Sequence, residues 1–140
     1  MARIDDIDVL ARTIWGEARG ESISGQEAIA SVIMNRVAFS KRRGRYWWGN
    51  TVTDVCQAPW QFSCWNKTDP NYQKLIKVGT EDINFCMCRR IAERAVNGTL
   101  EDKTCGATHY HTQNCFPAWA RDKKPCAEVG AHLFYNNIEK

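Results

Sequence analysis

Wound as a helix, the stretch "AIASVIMNRVAF" at residues 28–39 is apolar around nearly its whole circumference. Ala28, Ile29, Val32 and Ile33 share one face, and Ala30, Met34 and Val37 cover much of the rest. Such a helix must be wrapped by other elements, so the domain is expected to be built around it. Ser24 followed three residues later by Glu27 is a capping-box pattern and predicts where this helix opens. Arg36 projects from the arc of Ile29 and Val32. A partly buried guanidinium wants an anionic partner, and Glu17 or Glu21 are the nearest in sequence.

Upstream, Ile7, Leu10, Ala11, Ile14 and Ala18 recur at helical spacing and predict an amphipathic helix over 6–19, stopped by Gly20. At 100° per residue, Glu17 falls roughly 20° from Leu10 around the axis, on the edge of the apolar stripe. Solubility alone would not put a carboxylate there. Residues 40–74 scatter Gly44, Gly49, Asn50, Pro59 and Pro70 among aromatics without a sustained period, which predicts irregular structure with at most short strands. Ile83, Met87, Ile91 and Ala95 predict a third helix ending at Asn97-Gly98. "ATHYHT" (107–112) reads as a short strand with His109 and His111 on one face and Tyr110 on the other. "AEVGAHLFYN" reads as a second short strand or turn. The expectation is an α+β fold, mostly helical with a small β-sheet. At 140 residues the chain is expected to form one domain, 1–140, carrying the whole activity.

Composition removes several classes. A net charge of +3 is too small to argue for nucleic acid, although Lys41, Arg42, Arg43 and Arg45 form a local cluster. That cluster fits a solvated basic loop, or a contact for an anionic polymer. Four of the six tryptophans, Trp47, Trp48, Trp60 and Trp65, fall within nineteen positions, and their flat faces suit sugar rings as well as cores. No window approaches the roughly 20 apolar residues of a membrane span. "MARIDDIDVLARTIW" has acidic residues where a signal peptide needs a basic start, so synthesis in the cytoplasm without export is expected. Seven cysteines cannot all pair within one chain and, in a reducing compartment, are expected to be buried thiols, with Cys86 and Cys88 in the core.

Glu17 is the acid best placed for chemistry. Half wrapped in apolar side chains at a helix end, it should have its charged form disfavoured and its pKa raised. A carboxylic acid that keeps its proton near neutrality can protonate the leaving oxygen of a glycosidic bond. Gly16 and Gly20, on either side of Glu17-Ala18-Arg19, would let a polymer approach closely. A structural Glu17 paired with Arg19 or Arg36 satisfies the same pattern. Two-carboxylate glycosidases need a second acid, and Asp54, Asp69, Asp82 and Asp102 all sit in ordinary polar surroundings. With one functional carboxylate, the acid can turn base and draw a proton from a hydroxyl of the sugar itself, which is lytic transglycosylation. The pattern leaves that choice open. Cys105, His109, His111 and Cys115 supply a legitimate zinc count within eleven residues, but their intervals match no common zinc framework. Neither a metal nor a cofactor is expected. There is no glycine-rich phosphate loop, no G-x-S-x-G elbow and no H-E-x-x-H.

"ARTIWGEARGESISGQEAIASVIMNRV" (11–37) resembles the opening block of the SleB-like cell wall hydrolases, a family that includes spore cortex-lytic enzymes and bacteriophage endolysins. "TVTDVCQAPWQFSCWN" (51–66), "DKTCGATHYHTQN" (102–114) and "GAHLFYNN" (130–137) follow in the expected order. The resemblance implies a lysozyme-like fold and a peptidoglycan glycan-strand substrate. It also implies cleavage between N-acetylmuramic acid and N-acetylglucosamine, as a lytic transglycosylase or as a hydrolytic muramidase. It puts the family's catalytic glutamate on Glu17. It gives Glu21 a structural or substrate-side role and aligns Gln61, Phe62 and Ser63 with the family's Q-F-S block. Gln61 and Ser63 are then expected to hydrogen-bond the glycan and Tyr110 to stack on or orient a sugar, with Phe62 in the core. Lys103 stands where proline is common, Thr112 where asparagine is common, and the insert 41–50 and the cysteines are not general family features. A non-catalytic glycan-binding module and a zinc protein are the competing readings from other classes. The implied setting is a monomeric phage-type endolysin that reaches the wall through holin lesions, with no stable membrane insertion.

Overall fold

The computed structural model describes residues 2–59 and 61–139, with the backbone alone for 2–4, so Trp60 lies outside the described residues. The central element is α2 (Ile23–Arg43), preceded by α1 (Ala2–Ala18) and followed by two short helices, α3 (Val52–Gln57) and α4 (Tyr72–Lys77). The long helix α5 (Ile83–Val96) comes next, then strands β1 (His109–Thr112), β2 (Ala127–Val129) and β3 (His132–Tyr135). The fold is α+β, mostly helical with a small sheet, as the sequence predicts. α1 and α5 pack together, α2 lies against both, and α3 and α4 close over α1. Leu10, Ile14, Ile29, Ile33, Val55, Leu75, Phe85 and Ile91 form the main core. Ala28, Val32, Ala107 and Phe134 form a smaller one, which seats the sheet on α2.

The N-cap of α2 lies two residues before the predicted one. Ser22, not Ser24, is its N-cap, its side chain accepting from Gly25 N–H at 3.2 Å. The early start brings Gln26 under the end of α1, where its amide donates to Ala18 O at 3.2 Å and satisfies a carbonyl the helix end leaves free. Glu27, released from capping, pairs instead with Arg94 and Lys103. The helix also runs on past Phe39 to a Gly44 cap. Lys41, Arg42 and Arg43 therefore form its last turn rather than a loop, complementing the negative end of the helix dipole.

The stretch predicted as irregular with short strands is partly helical. α3 and α4 are six residues each, too short to show a helical period in sequence. A 3-10 turn, Ser63–Trp65, lies between them. α4 is held to α1 by Arg12, whose guanidinium donates to Leu75 O at 2.7 Å and Val78 O at 2.8 Å, the carbonyls at the end of α4. In α5 the buried face is Phe85, Cys88, Ile91, Ala92 and Ala95, whereas Ile83 is 77% exposed and Met87 lies at the surface. The predicted stripe thus holds only over its second half. Cys88 is core and Cys86 is half-buried, its thiol on Thr80 O.

The final segment, predicted as one strand or turn, forms two strands joined at Gly130-Ala131. Gly130 takes φ +57°, which a side chain would resist. The sheet order is β1-β3-β2, all antiparallel, with Tyr110 opposite Phe134 and Ala127 opposite the same Phe134.

Candidate active site

A cleft of about 410 Å³ opens between the helices and the sheet, lined on one wall by Glu17, Arg36, Gln61 and Phe62. Its other wall is His109, Tyr110, His111, Thr112, Cys115, Pro117 and Trp119. Glu17 reaches it from the last turn of α1, one residue before the buried Ala18. Burial raises the pKa of Glu17 above its ordinary value. The thiol and backbone N–H of Cys64 and the hydroxyl of Tyr110 pull it back only in part. The Tyr110 hydroxyl is itself held protonated by burial and by Glu17's charge.

Gly16 makes this arrangement possible in a way the sequence did not indicate. A Cβ there would lie 2.7 Å from Cys64 Cβ and 3.1 Å from a Leu75 methyl, so the hollow beside Glu17 is filled by protein, not left open to a polymer. Gly20 is exposed, with open space at its Cβ position.

Arg36 is 5% exposed and makes no ion pair with Glu17 or Glu21. Its guanidinium donates to Thr108 O at 2.7 Å and Gln61 Oε1 at 2.9 Å, and it lies over the rings of Trp48 and Phe62. Neutral acceptors and aromatic faces replace the expected carboxylate, because α2 points this residue at the start of β1 rather than at the end of α1. Burial lowers its pKa to about 10, which leaves it charged at neutral pH. Arg19 does not pair with Glu17 either; it stacks on Trp15 at 4.2 Å and donates to Trp15 O.

Of the residues singled out from sequence, Glu17, Gln61 and Tyr110 meet in the cleft; Glu21 and Ser63 do not line it. Glu21 turns toward the hairpin, its carboxylate 3.6 Å from His132 Nδ1 and 3.2 Å from where a Cβ on Gly130 would sit. Ser63 is exposed at the start of its 3-10 turn. Phe62 is buried yet forms part of the wall. Trp48 is core, its indole N–H on Arg36 O, and Trp65 donates to Thr13 Oγ1, so neither offers a sugar platform; Trp47 is 58% exposed away from the cleft.

A tryptophan that does line the cleft is Trp119, which no pattern in the sequence marks. It packs edge-on against His109, His111 and Tyr135. Both nitrogens of His111 are engaged, Nδ1 with Thr112 O at 2.7 Å and Nε2 with the Tyr135 hydroxyl at 2.8 Å. The sequence-adjacent His and Cys thus serve different ends, and the described residues hold no cluster of three metal-ligating groups. His109 is held neutral by burial and by Arg36, its pKa lowered to about 4. These outweigh the Glu139 carboxylate 3.6 Å from its Nε2.

Comparison with known proteins agrees with this geometry. Residues 20–135 match the model of the cell wall hydrolase family. The spore cortex-lytic enzyme of Bacillus cereus is 39% identical over 133 residues, covering 93% of this chain and 44% of that protein. The spore cortex-lytic enzyme of Halalkalibacterium halodurans is 29% identical over 136 residues, covering 94% of this chain and 35% of that protein. The chain therefore spans less than half the length of these relatives. Its fold superposes on the catalytic domain of Bacillus cereus SleB with a TM-score of 0.72 at 26% identity, over 95% of this chain and 91% of that one. The catalytic domain of the germination-specific lytic transglycosylase SleB from Bacillus anthracis matches equally, with a TM-score of 0.72 at 26% identity over 94% of each chain. The architecture is accordingly the lysozyme-like one of these catalytic domains, and the chain belongs to the cell wall hydrolase family.

Proposed function

We propose that this chain cleaves the glycan strand of peptidoglycan between N-acetylmuramic acid and N-acetylglucosamine as a lytic transglycosylase, with Glu17 as its acid and base. The observation that carries the reading is that Glu17 is the sole carboxylate among the described residues that line the cleft, and that burial disfavours its ionisation. Protonated Glu17 gives its proton to the glycosidic oxygen as the bond from the muramic C1 breaks. The resulting carboxylate takes the proton of the muramic 6-hydroxyl while that oxygen bonds to C1. The sugar closes to a 1,6-anhydro ring, the acid is restored and no water is consumed. Tyr110 lines the cleft with the acid, while Arg36 and Gln61 present fixed dipoles and charge to the sugar ring. Trp119 offers a flat aromatic edge at the opposite wall. The names of the SleB relatives, a spore cortex-lytic enzyme and a lytic transglycosylase, support the same substrate.

A hydrolytic muramidase is the second reading. It needs a further carboxylate to activate water, and Asp69 is near enough for its charge to act on Glu17, though it does not line the cleft. Mass analysis of muropeptides released from purified sacculi separates the two. Anhydro ends support the proposal, and products heavier by one water overturn it in favour of hydrolysis. Glu21 and Ser63, outside the cleft, would meet substrate only where a long strand extends beyond it. The setting we propose is a monomer acting in phage-type lysis, reaching the wall through holin lesions. A neighbouring holin gene supports that setting and a sporulation locus overturns it. Among the described residues no helix is long and apolar enough to cross a membrane.

A further inference from the structure

Residues 105–126 carry the whole sheet-side wall of the cleft, from His109 to Trp119. Between the end of β1 and the start of β2 their described regular structure is one 3-10 turn, Ala118–Ala120. The order of this wall therefore leans on the two ends of the segment, and each end carries a cysteine. Cys105 is exposed and Cys126 half-buried, against the expectation of buried thiols.

β3 gathers the two ends. The Asn136 side-chain amide donates to Cys105 O at 2.8 Å, and Cys126 N–H donates to Phe134 O at 2.7 Å. The Cys126 thiol donates to Thr104 O at 3.1 Å, the carbonyl directly before Cys105. Cys105 takes φ +60°, a left-handed conformation that swings its Cβ to the side of that same carbonyl. Standard backbone dimensions then put the Cys105 Cβ about 3 Å from Thr104 O, and so within about 6 Å of the Cys126 sulfur. Turning the two side chains toward each other closes a gap of that size. Asp102 clasps the turn meanwhile, its carboxylate accepting from Thr104 N–H at 2.7 Å and Gly106 N–H at 2.9 Å.

We propose that Cys105 and Cys126 are a disulfide-forming pair, and that their bond closes the segment carrying the sheet-side wall of the cleft into a covalent loop. The oxidant is a low-molecular-weight disulfide. Exposed Cys105, as its thiolate, attacks one sulfur of that reagent and releases one small thiol; the Cys126 thiolate then attacks the Cys105 sulfur of the mixed disulfide and releases the second. Two protein thiols are oxidised, one small disulfide is reduced, and the two protons pass to the two small thiols. Burial and the neighbouring Cys105 charge push the Cys126 thiol up, which leaves the first attack to Cys105. Cys56, Cys64 and Cys88 are buried, and Cys86 has its thiol on Thr80 O. Cys115, exposed at the cleft, is the competing partner. Closing the loop removes freedom from the unfolded chain and limits local opening of the wall. The bond rests on this geometry alone, and its consequence for lysis rests on the proposed reading of the cleft.

The full chain, first reduced, is equilibrated with oxidised and reduced glutathione over a range of ratios, and the remaining thiols are capped by alkylation. Peptide mapping without reduction is expected to find a Cys105–Cys126 link, absent from Cys105→Ser and Cys126→Ser. The oxidised native protein is expected to melt several degrees above the reduced one, with no such gap in either variant. It is also expected to go on dissolving sacculi at temperatures where the reduced protein has stopped. Cys105 and Cys126 that both stay open to alkylation in the most oxidising mixture overturn the proposal, and so does a link from either of them to Cys115. A Cys105–Cys126 link that leaves the melting temperature unmoved overturns the bracing of the wall. A link with the raised melting temperature in a protein that never dissolves sacculi would sustain the bond while removing the reading of the cleft, so the two failures are distinct.

Discussion

The Arg36 guanidinium donates to the side-chain oxygen of Gln61 at 2.9 Å, so the positive charge at the cleft wall is held by an amide rather than cancelled by a carboxylate. That choice leaves a full charge available to ligand, and it joins α2 to the loop after α3. Arg36→Met should destabilise the protein by about 1–3 kcal/mol, because Thr108 O and Gln61 Oε1 lose their donor in a buried place. Urea denaturation checks this, and a loss below about 0.5 kcal/mol would show that water replaces the guanidinium without cost.

Gly16 and Gly20 flank Glu17-Ala18-Arg19 in sequence but lie in different surroundings. Gly16→Ala drives a methyl into Cys64 and Leu75 and should cost about 1–3 kcal/mol together with a loss of lysis. Gly20→Ala meets nothing within 4 Å and should change stability by less than about 0.5 kcal/mol. Thermal melts of the pair, at matched activity assays, compare them directly.

These two glycines also mark what could be read from the sequence. Helical period put Glu17 on the edge of an apolar stripe and predicted its resistance to ionisation from one helix alone, because a long helix fixes its own faces. The partner that fills Gly16 comes from a 3-10 turn nearly fifty residues on, where no period exists to read. α3 and α4 escaped for the same reason. Arg36 was seen to need a partner, yet its partners are a carbonyl and an amide, which residue type does not announce. Trp119 reaches the cleft because β1 and β3 pair across a long connection, whereas the conspicuous Trp48 is spent on the core. The family blocks point to Gln61 and Tyr110, which line the cleft, and to Ser63 and Glu21, which do not.

His109 gives a stability signature in acid. Its folded pKa of about 4 lies below the ordinary 6.5, so between those values the unfolded chain binds the extra proton. Stability should therefore fall as pH drops from 6.5 toward 4, by on the order of 2 kcal/mol, and His109→Asn should flatten that slope. Urea midpoints across the window measure it; equal slopes in the two proteins would show that His109 titrates normally.

Glu17 leaves a signature at the other end. Its folded pKa lies above 4.5, so the stability it contributes is present below that value and lost as pH rises through the raised one. Glu17→Gln carries no such loss. The difference in melting temperature, variant minus native, should grow in the variant's favour as pH rises above 4.5. A difference independent of pH would mean that the carboxyl ionises as readily in the fold as in water.

The claim on which the rest depends is that the Glu17 carboxyl performs the bond cleavage. The direct measurement is the rate at which purified sacculi release soluble muropeptides with native protein and with Glu17→Gln, the variant's fold verified by circular dichroism. The account predicts a loss of at least about a thousandfold, with anhydro products vanishing in step. A folded Glu17→Gln that dissolves sacculi at the native rate would contradict it.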